Sequence, residues 1–136
     1  MGKLYTVLGL MSGTSGDGVD SSIITSDGIN QYNQILNRYF EYDQKTYKNL
    51  HNLRDKILLI EDLKKNEKEI NSLEKDLTLF HAKVVKKILE ISNKNIDFIG
   101  FHGQTIFHNP EKKFTKQLGD GKLLSQLSKK EVVYDF

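Results

Sequence analysis

Apolar and polar positions change their period twice along this chain, and the changes divide it into three parts. Residues 4–11 form a short apolar run, and residues 19–26 and 34–42 alternate imperfectly, as strands do when both faces are partly covered. The Asp27-Gly28 pair between the last two is a tight-turn signal. These features predict three consecutive antiparallel strands. From residue 44 to 95 the period becomes helical. One stripe runs through Leu50, Leu53, Ile57, Ile60 and Leu63, and the polar stretch 64–68 interrupts it. A second runs through Ile70, Leu73, Leu77, Phe80, Val84, Ile88 and Ile91 at spacings of three and four. A coiled coil shares that spacing, but Leu79, Val85 and Leu89 widen the stripe and favour packing on a sheet. Asn93, Lys94 and Asn95 end the helix. A buried strand over 96–101 follows, then a polar motif over 102–110 and a charged turn over 111–113. A short strand over 114–118, a helix through Leu123, Leu124 and Leu127, and a last strand over 131–136 complete the chain. Strands, helices, then strand–helix–strand make a mixed α/β pattern.

The candidate chemistry lies where these elements meet. After the first strand come Ser12, Gly13, Thr14, Ser15, Gly16, Asp17, Gly18, Val19 and Asp20. Glycines let the backbone approach another group closely. The hydroxyls of Ser12, Thr14 and Ser15 and the loop N–H groups supply donors for an anion. Asp17 and Asp20 would repel that anion unless a divalent cation stood between them, as Mg²⁺ does between carboxylates and phosphates. The pattern suggests a hairpin that holds a metal–nucleotide phosphate tail. With no lysine in the loop and no helix pattern behind it, it is not a Walker-type loop. The same residue types also make ordinary surface turns, and that alternative stands beside the first.

A second group, His102, Gly103, Gln104 and Thr105, follows an apolar strand, the place where open α/β sheets put ligand groups. Gly103 permits close approach, and Gln104 and Thr105 are suited to sugar hydroxyls. His102 and His108 are candidate acid–base groups or, more plainly, structural hydrogen-bonders. His51 and His81 fall within helical stripes and read as packing or surface residues. Asp120, between Gly119 and Gly121, reads as a helix N-cap, as a residue facing the same cleft as the first loop, or as both. Asp135 near a strand end has a similar ambiguity.

Composition sets bounds on this picture. A chain of 136 residues is one ordinary domain, and a formal charge of +2 gives no reason to expect nucleic acid. Its lysines are interleaved with Glu and Asp, as on a solvated helix face. The absence of cysteine excludes disulfides and thiolate metal sites and agrees with a reducing cytoplasm. No apolar run approaches a membrane span. The last strand stops without a turn or tail, which suggests a fragment of a longer protein.

Three stretches together resemble the anhydro-N-acetylmuramic acid kinase family: residues 9–20, residues 96–108, and Gln117, Leu118, Gly119, Asp120 and Gly121 followed by residues 132–136. The resemblance spans nearly the whole chain, and the first two stretches are its specific part. It implies an actin/hexokinase/Hsp70-like (ribonuclease H-like) ATPase fold with two lobes. Residues 1–136 would be the N-terminal lobe, truncated within its sheet, and the second lobe would be absent. It further implies use of ATP and Mg²⁺ to open the 1,6-anhydro ring of an amino sugar and phosphorylate O6, in cell-wall recycling. By resemblance, Gly13, Thr14, Ser15, Gly16, Asp17, Gly18, Val19 and Asp20 contact ATP phosphates, with Asp17 toward Mg²⁺. His102, Gly103, Gln104, Thr105 and Asp120 lie near the sugar. The general-base aspartate is expected beyond Phe136, so the segment alone is expected to be inactive. The chain departs from the family at Gly16, where a larger apolar residue is more usual, and an extra glycine there is expected to loosen the loop. A homodimer, formed through the exposed last strand, is a further expectation. Another sugar kinase of the same superfamily and a non-catalytic helical interaction module over residues 44–92 are the alternatives.

Overall fold

The computed structural model describes residues 3–135. The chain runs β1 (Tyr5–Met11), β2 (Gly18–Ser26), β3 (Tyr32–Glu41), α1 (Gln44–Lys56), α2 (Glu61–Lys65), α3 (Glu67–Ser92), β4 (Phe98–Phe101), β5 (Gln104–Asn109), β6 (Phe114–Leu118), α4 (Gly121–Ser128) and β7 (Glu131–Tyr134). Five strands form one sheet in the order β3-β2-β1-β4-β7, and β5 and β6 form a separate pair. β1, β2 and β3 are antiparallel neighbours, while β4 and β7 run parallel to β1. The result is a mixed α/β sheet with flanking helices.

Period-two alternation sends Leu8 and Leu10 of β1, Val19 and Ile23 of β2, and Ile99 and Phe101 of β4 into one core. Leu50 and Leu53 of α1, Leu77, Val84 and Ile88 of α3, and Leu124 of α4 meet them there. Burying each such side chain stabilises the fold by about 1.5–3 kcal/mol. The stripe of α3 is therefore covered by the sheet, which removes the free coiled coil of the interaction-module reading. It also takes in His81, fully buried beside the half-buried Phe80, and Ile91 stays 45% exposed.

Several expected boundaries move, each for a local reason. The 27–28 turn is a five-residue loop: Asp27 Oδ1 accepts from the N–H groups of Ile29, Asn30 and Gln31, so the chain closes around a carboxylate instead of a two-residue turn. Alternation in β3 is imperfect because the register slips where Ile23 faces Leu36 and Ile24 faces Gln34, leaving Ile35 as a bulge. The first helical stripe breaks at residues 57–60, ahead of the polar stretch. Leu58 and Leu59 point outward there, and Asp62 Oδ2 accepts from both their N–H groups. β5 falls within the polar motif, where no strand is expected, and a slip around Ile106 disguises its alternation. The end of α3 at Asn93, left-handed at φ 54°, agrees with the expected stop. The expected last strand closes at Tyr134, and Phe136 lies outside the described residues.

Candidate active site

Because β1, β4 and β7 are parallel neighbours, their C-terminal ends stand side by side, with Leu10 opposite Phe101 and Phe101 opposite Tyr134. The loops after these strands open at the same edge, the usual position of ligands in such sheets. A backbone bond from His102 N–H to the Leu10 carbonyl (3.2 Å) carries the β1–β4 ladder into the loops.

In the loop after β1, the Gly16 N–H donates to the Gly13 carbonyl at 3.1 Å and closes a turn. Gly13, Thr14, Ser15 and Asp17 are exposed, and neither the Thr14 nor the Ser15 hydroxyl nor the Asp17 carboxylate has a hydrogen-bond partner among the described residues. Gly18 and Val19 begin β2 and are buried, Val19 completely; Asp20, opposite Met11, is exposed. The expectation that Gly16 loosens the loop is overturned. Gly16 has φ +71°, and a Cβ there would meet Arg54 Nη1 at 2.8 Å, Leu50 Cδ2 at 3.0 Å and His51 Nε2 at 3.1 Å. His51 Nε2 donates to the Gly16 carbonyl at 3.0 Å. Glycine here lets α1 press against the loop and hold it.

Ser12 corrects another expectation. It is 2% exposed, and its hydroxyl belongs to a buried chain of hydrogen bonds rather than to an anion. At one end the Leu77 carbonyl can only accept, so His81 Nδ1 carries the ring proton (2.7 Å), and the neutral ring offers Nε2 as an acceptor. At the other end the carbonyls of Gly13 (3.0 Å) and Thr105 (3.2 Å) require the amide nitrogen of Gln104, which turns its Oε1 toward Tyr42. Two hydroxyls stand between these acceptors. Ser12 Oγ is 3.2 Å from His81 Nε2, and Tyr42 Oη is 2.9 Å from both Ser12 Oγ and Gln104 Oε1. Each hydroxyl has one proton, so two protons serve three contacts. A charged His81 would complete the set. Burial opposes that charge and lowers the imidazole from 6.5 to about 4, against the pull of the Leu77 carbonyl. Burial likewise pushes the Tyr42 phenol up to about 12, so it stays a donor. At neutral pH the chain therefore joins α3, the first loop and β5 through two bonds and one bare contact.

The second group divides in the same way. Gln104 is fully buried with its amide engaged by the protein, so it meets the first loop at Gly13 and offers nothing to a sugar hydroxyl. Thr105 is half-buried beside it. His102 is half-buried, with its Nε2 3.1 Å from Gln117 Nε2. Gly103, at φ +84°, lies where a Cβ would meet the Leu118 carbonyl at 2.5 Å, so the chain crosses the end of β6 only as glycine. Of these residues His102 and Gly103 line a cavity of about 200 Å³, together with Phe101, Gln117, Leu118, Gly119, Tyr134 and Asp135. Asp120 is the N-cap of α4: its Oδ1 accepts from Leu123 N–H at 3.0 Å. Glu74 and Thr78 of α3 take the N–H groups of Gly119 and Asp120 at 3.0 Å each. His108 is exposed, 2.7 Å from Thr115 Oγ1, on the β5–β6 pair.

Tyr42, His81, Glu74, Thr78 and Arg54 escape a reading of motifs. The one available signal is a histidine within an apolar helical stripe. Among the described residues no group of three or more His, Asp or Glu is gathered for a metal ion.

The loops after β1 and β4 thus stand at one edge of the sheet, and Gln104 joins them at Gly13. Residues 5–136 match the family model described as anhydro-N-acetylmuramic acid kinase. The chain belongs to that family. It is 60% identical over 136 residues to an anhydro-N-acetylmuramic acid kinase of Pelagibacter ubique (strain HTCC1062), covering 100% of this chain and 36% of the relative. An anhydro-N-acetylmuramic acid kinase of Agrobacterium fabrum is 38% identical over 142 residues, and one of Rhizobium etli is 35% identical over 138. In both cases 99% of this chain and 37% of the relative are covered. The chain therefore spans little more than a third of the length of these anhydro-N-acetylmuramic acid kinases.

Proposed function

We propose that this chain is the part of an anhydro-N-acetylmuramic acid kinase that holds the phosphate tail of ATP and one side of the sugar. The observation that carries this reading is the loop over 13–17. It is anchored from behind by Gln104 and His51, and its front hydroxyls and carboxylate have no hydrogen-bond partners among the described residues. Thr14 and Ser15 offer donors to phosphate oxygens, and Asp17 offers the hard oxygen that suits Mg²⁺. These donors fit a metal-bound polyphosphate. The mixed sheet, antiparallel then parallel, supports an actin/hexokinase/Hsp70-like lobe.

When bound, Mg·ATP supplies the γ-phosphoryl group and neutralises its charge. The chain contributes position: Thr14 and Ser15 orient phosphates, Asp17 faces the metal, and Gly103 and His102 line the sugar side. In the net reaction water adds to C1 of the anhydro sugar, the C1–O6 bond breaks, and O6 takes the phosphoryl group, giving N-acetylmuramic acid 6-phosphate. A carboxylate from outside residues 1–136 acts as the base for that water. The setting is cytoplasmic amino-sugar recycling. β3 and β7, the edge strands of the sheet, give copies of the chain a route to association.

The test is ADP release by the full-length protein with Mg·ATP and anhydro-N-acetylmuramate, with the product identified by mass. Equal amounts of ADP and sugar 6-phosphate are expected. A folded protein that releases no ADP with any amino sugar would overturn the reading. Release with a different sugar would point to another kinase of the superfamily.

A further inference from the structure

The loop over 13–17 contains two hydroxyl side chains and a carboxylate but no basic residue. A polyphosphate placed there would meet negative charge from Asp17, with Asp20 nearby. The compensating cation is found behind the loop. Arg54, in the last turn of α1, has its Nη1 buried without a hydrogen-bond partner, and its guanidinium makes no ion pair among the described residues. An arginine cannot shed its proton to escape this position, and a buried donor without a partner is a rare feature in a native fold. A Cβ at Gly16 would lie 2.8 Å from Nη1. Only the missing side chain admits the guanidinium to the rear of the turn. Gly16 and Arg54 thus form one arrangement: an open slot and the cation that fills it.

We infer that Arg54 is a positioning residue for the nucleotide, supplying from behind the loop the positive charge that the loop itself lacks. This deepens the kinase reading and rests on it. Arg54 acts through the Gly16 turn without touching the sugar, so its effect grows with the number of phosphates on the ligand.

The experiment measures dissociation constants of the full-length protein for Mg·ATP, Mg·ADP, AMP and anhydro-N-acetylmuramate, in wild type, Arg54→Gln and Arg54→Lys, with thermal unfolding as a control. Arg54→Gln is expected to weaken Mg·ATP about tenfold, a scale set by one unit charge at partly buried range. The expected loss is smaller for Mg·ADP, and smallest for AMP and the sugar. Arg54→Lys is expected to restore most of the affinity, because it keeps the charge. The inference is overturned if Arg54→Gln binds Mg·ATP within twofold of wild type, if all four ligands weaken equally, or if the lysine variant is no better than the glutamine one. Should Arg54→Gln not fold, wild type against Arg54→Lys still decides. Raised salt should then weaken Mg·ATP equally in both, and a loss in the lysine variant equal for nucleotide and sugar would overturn the inference. A wild-type protein that binds no nucleotide would remove the kinase reading, whereas nucleotide binding indifferent to Arg54 removes only this inference.

Discussion

The turn over residues 12–17 and the turn over residues 27–31 are built from overlapping residue types, and each joins two antiparallel strands of the same sheet. They differ in where their polar groups go. The second closes on itself. Asp27 Oδ1 takes three backbone N–H groups, and Ser26 Oγ takes a fourth, from Gly28. Those bonds, from Gln31 and Ile29 above all, hold the Asp27 carboxyl below its ordinary value of 3.8. The first turn is held by residues distant in sequence: Gln104 on the Gly13 carbonyl, His51 on the Gly16 carbonyl, and Tyr42 N–H on the Asp17 carbonyl. Its own hydroxyls and carboxylate are left outward. A turn that satisfies its own polar groups has no vacancy for a ligand. One braced from behind, with its front groups open, is preorganised for a ligand that supplies the missing partners.

Four substitutions or titrations break or sharpen this contrast. The largest effect is expected from Asp17→Ala in the full-length protein, where turnover should fall about 10³-fold, the scale of losing a principal electrostatic contact, while Asp27→Ala should turn over normally. Steady-state ADP release reads both. Gln104→Ala removes the brace. It removes the amide bond to the Gly13 carbonyl, leaves the Tyr42 hydroxyl with Ser12 alone and opens a cavity, so denaturant unfolding should show a loss of about 3 kcal/mol. Next comes a pH effect from His81. Unfolded, its imidazole titrates near 6.5; folded, near 4. Between those values the unfolded chain binds a proton that the native chain refuses, so stability is full above about 6.5 and declines as pH falls toward 4. The decline is up to about 3 kcal/mol at 1.36 kcal/mol per unit, and His81→Gln should flatten this part of the profile. The smallest effect is at Asp27. Its depressed carboxyl stabilises the fold above pH 3.8 and loses that contribution as pH falls through the folded value, so Asp27→Ala should lower the unfolding midpoint slightly above pH 3.8 and converge with wild type in acid.

How much of this was legible in the residues follows the same division. The strands over 5–11 and 18–26 announce themselves by apolar runs, of which Leu8, Leu10, Val19 and Ile23 face the core. The 12–17 loop announces itself by composition and by its place after a strand. Composition alone could not separate that loop from the 27–31 turn, because the deciding partners lie far along the chain: His81 Nε2 is 69 positions from Ser12, and Gln104 is 91 from Gly13. Periodicity placed Phe80 on the buried stripe, and it packs half-buried against the core. The apolar pattern did not reveal His81 beside it, buried outright because its nitrogens meet Leu77 and Ser12. β5 was hidden for a related reason. Its buried Gln104 reads as a ligand group when its partners are unseen, and the slip at Ile106 breaks the alternation. What the residues concealed was the destination of each polar group.

On the proposed function, the turn over residues 13–17 is open because a metal-bound polyphosphate completes it. Amide chemical-shift changes in the full-length protein on titration with Mg·ADP test this most directly. Shifts concentrated at Gly13, Thr14, Ser15, Gly16 and Asp17, with residues 27–31 unmoved and the response lost in Asp17→Ala, are the predicted result. Binding that leaves residues 13–17 unperturbed, or that survives Asp17→Ala unchanged, would contradict it.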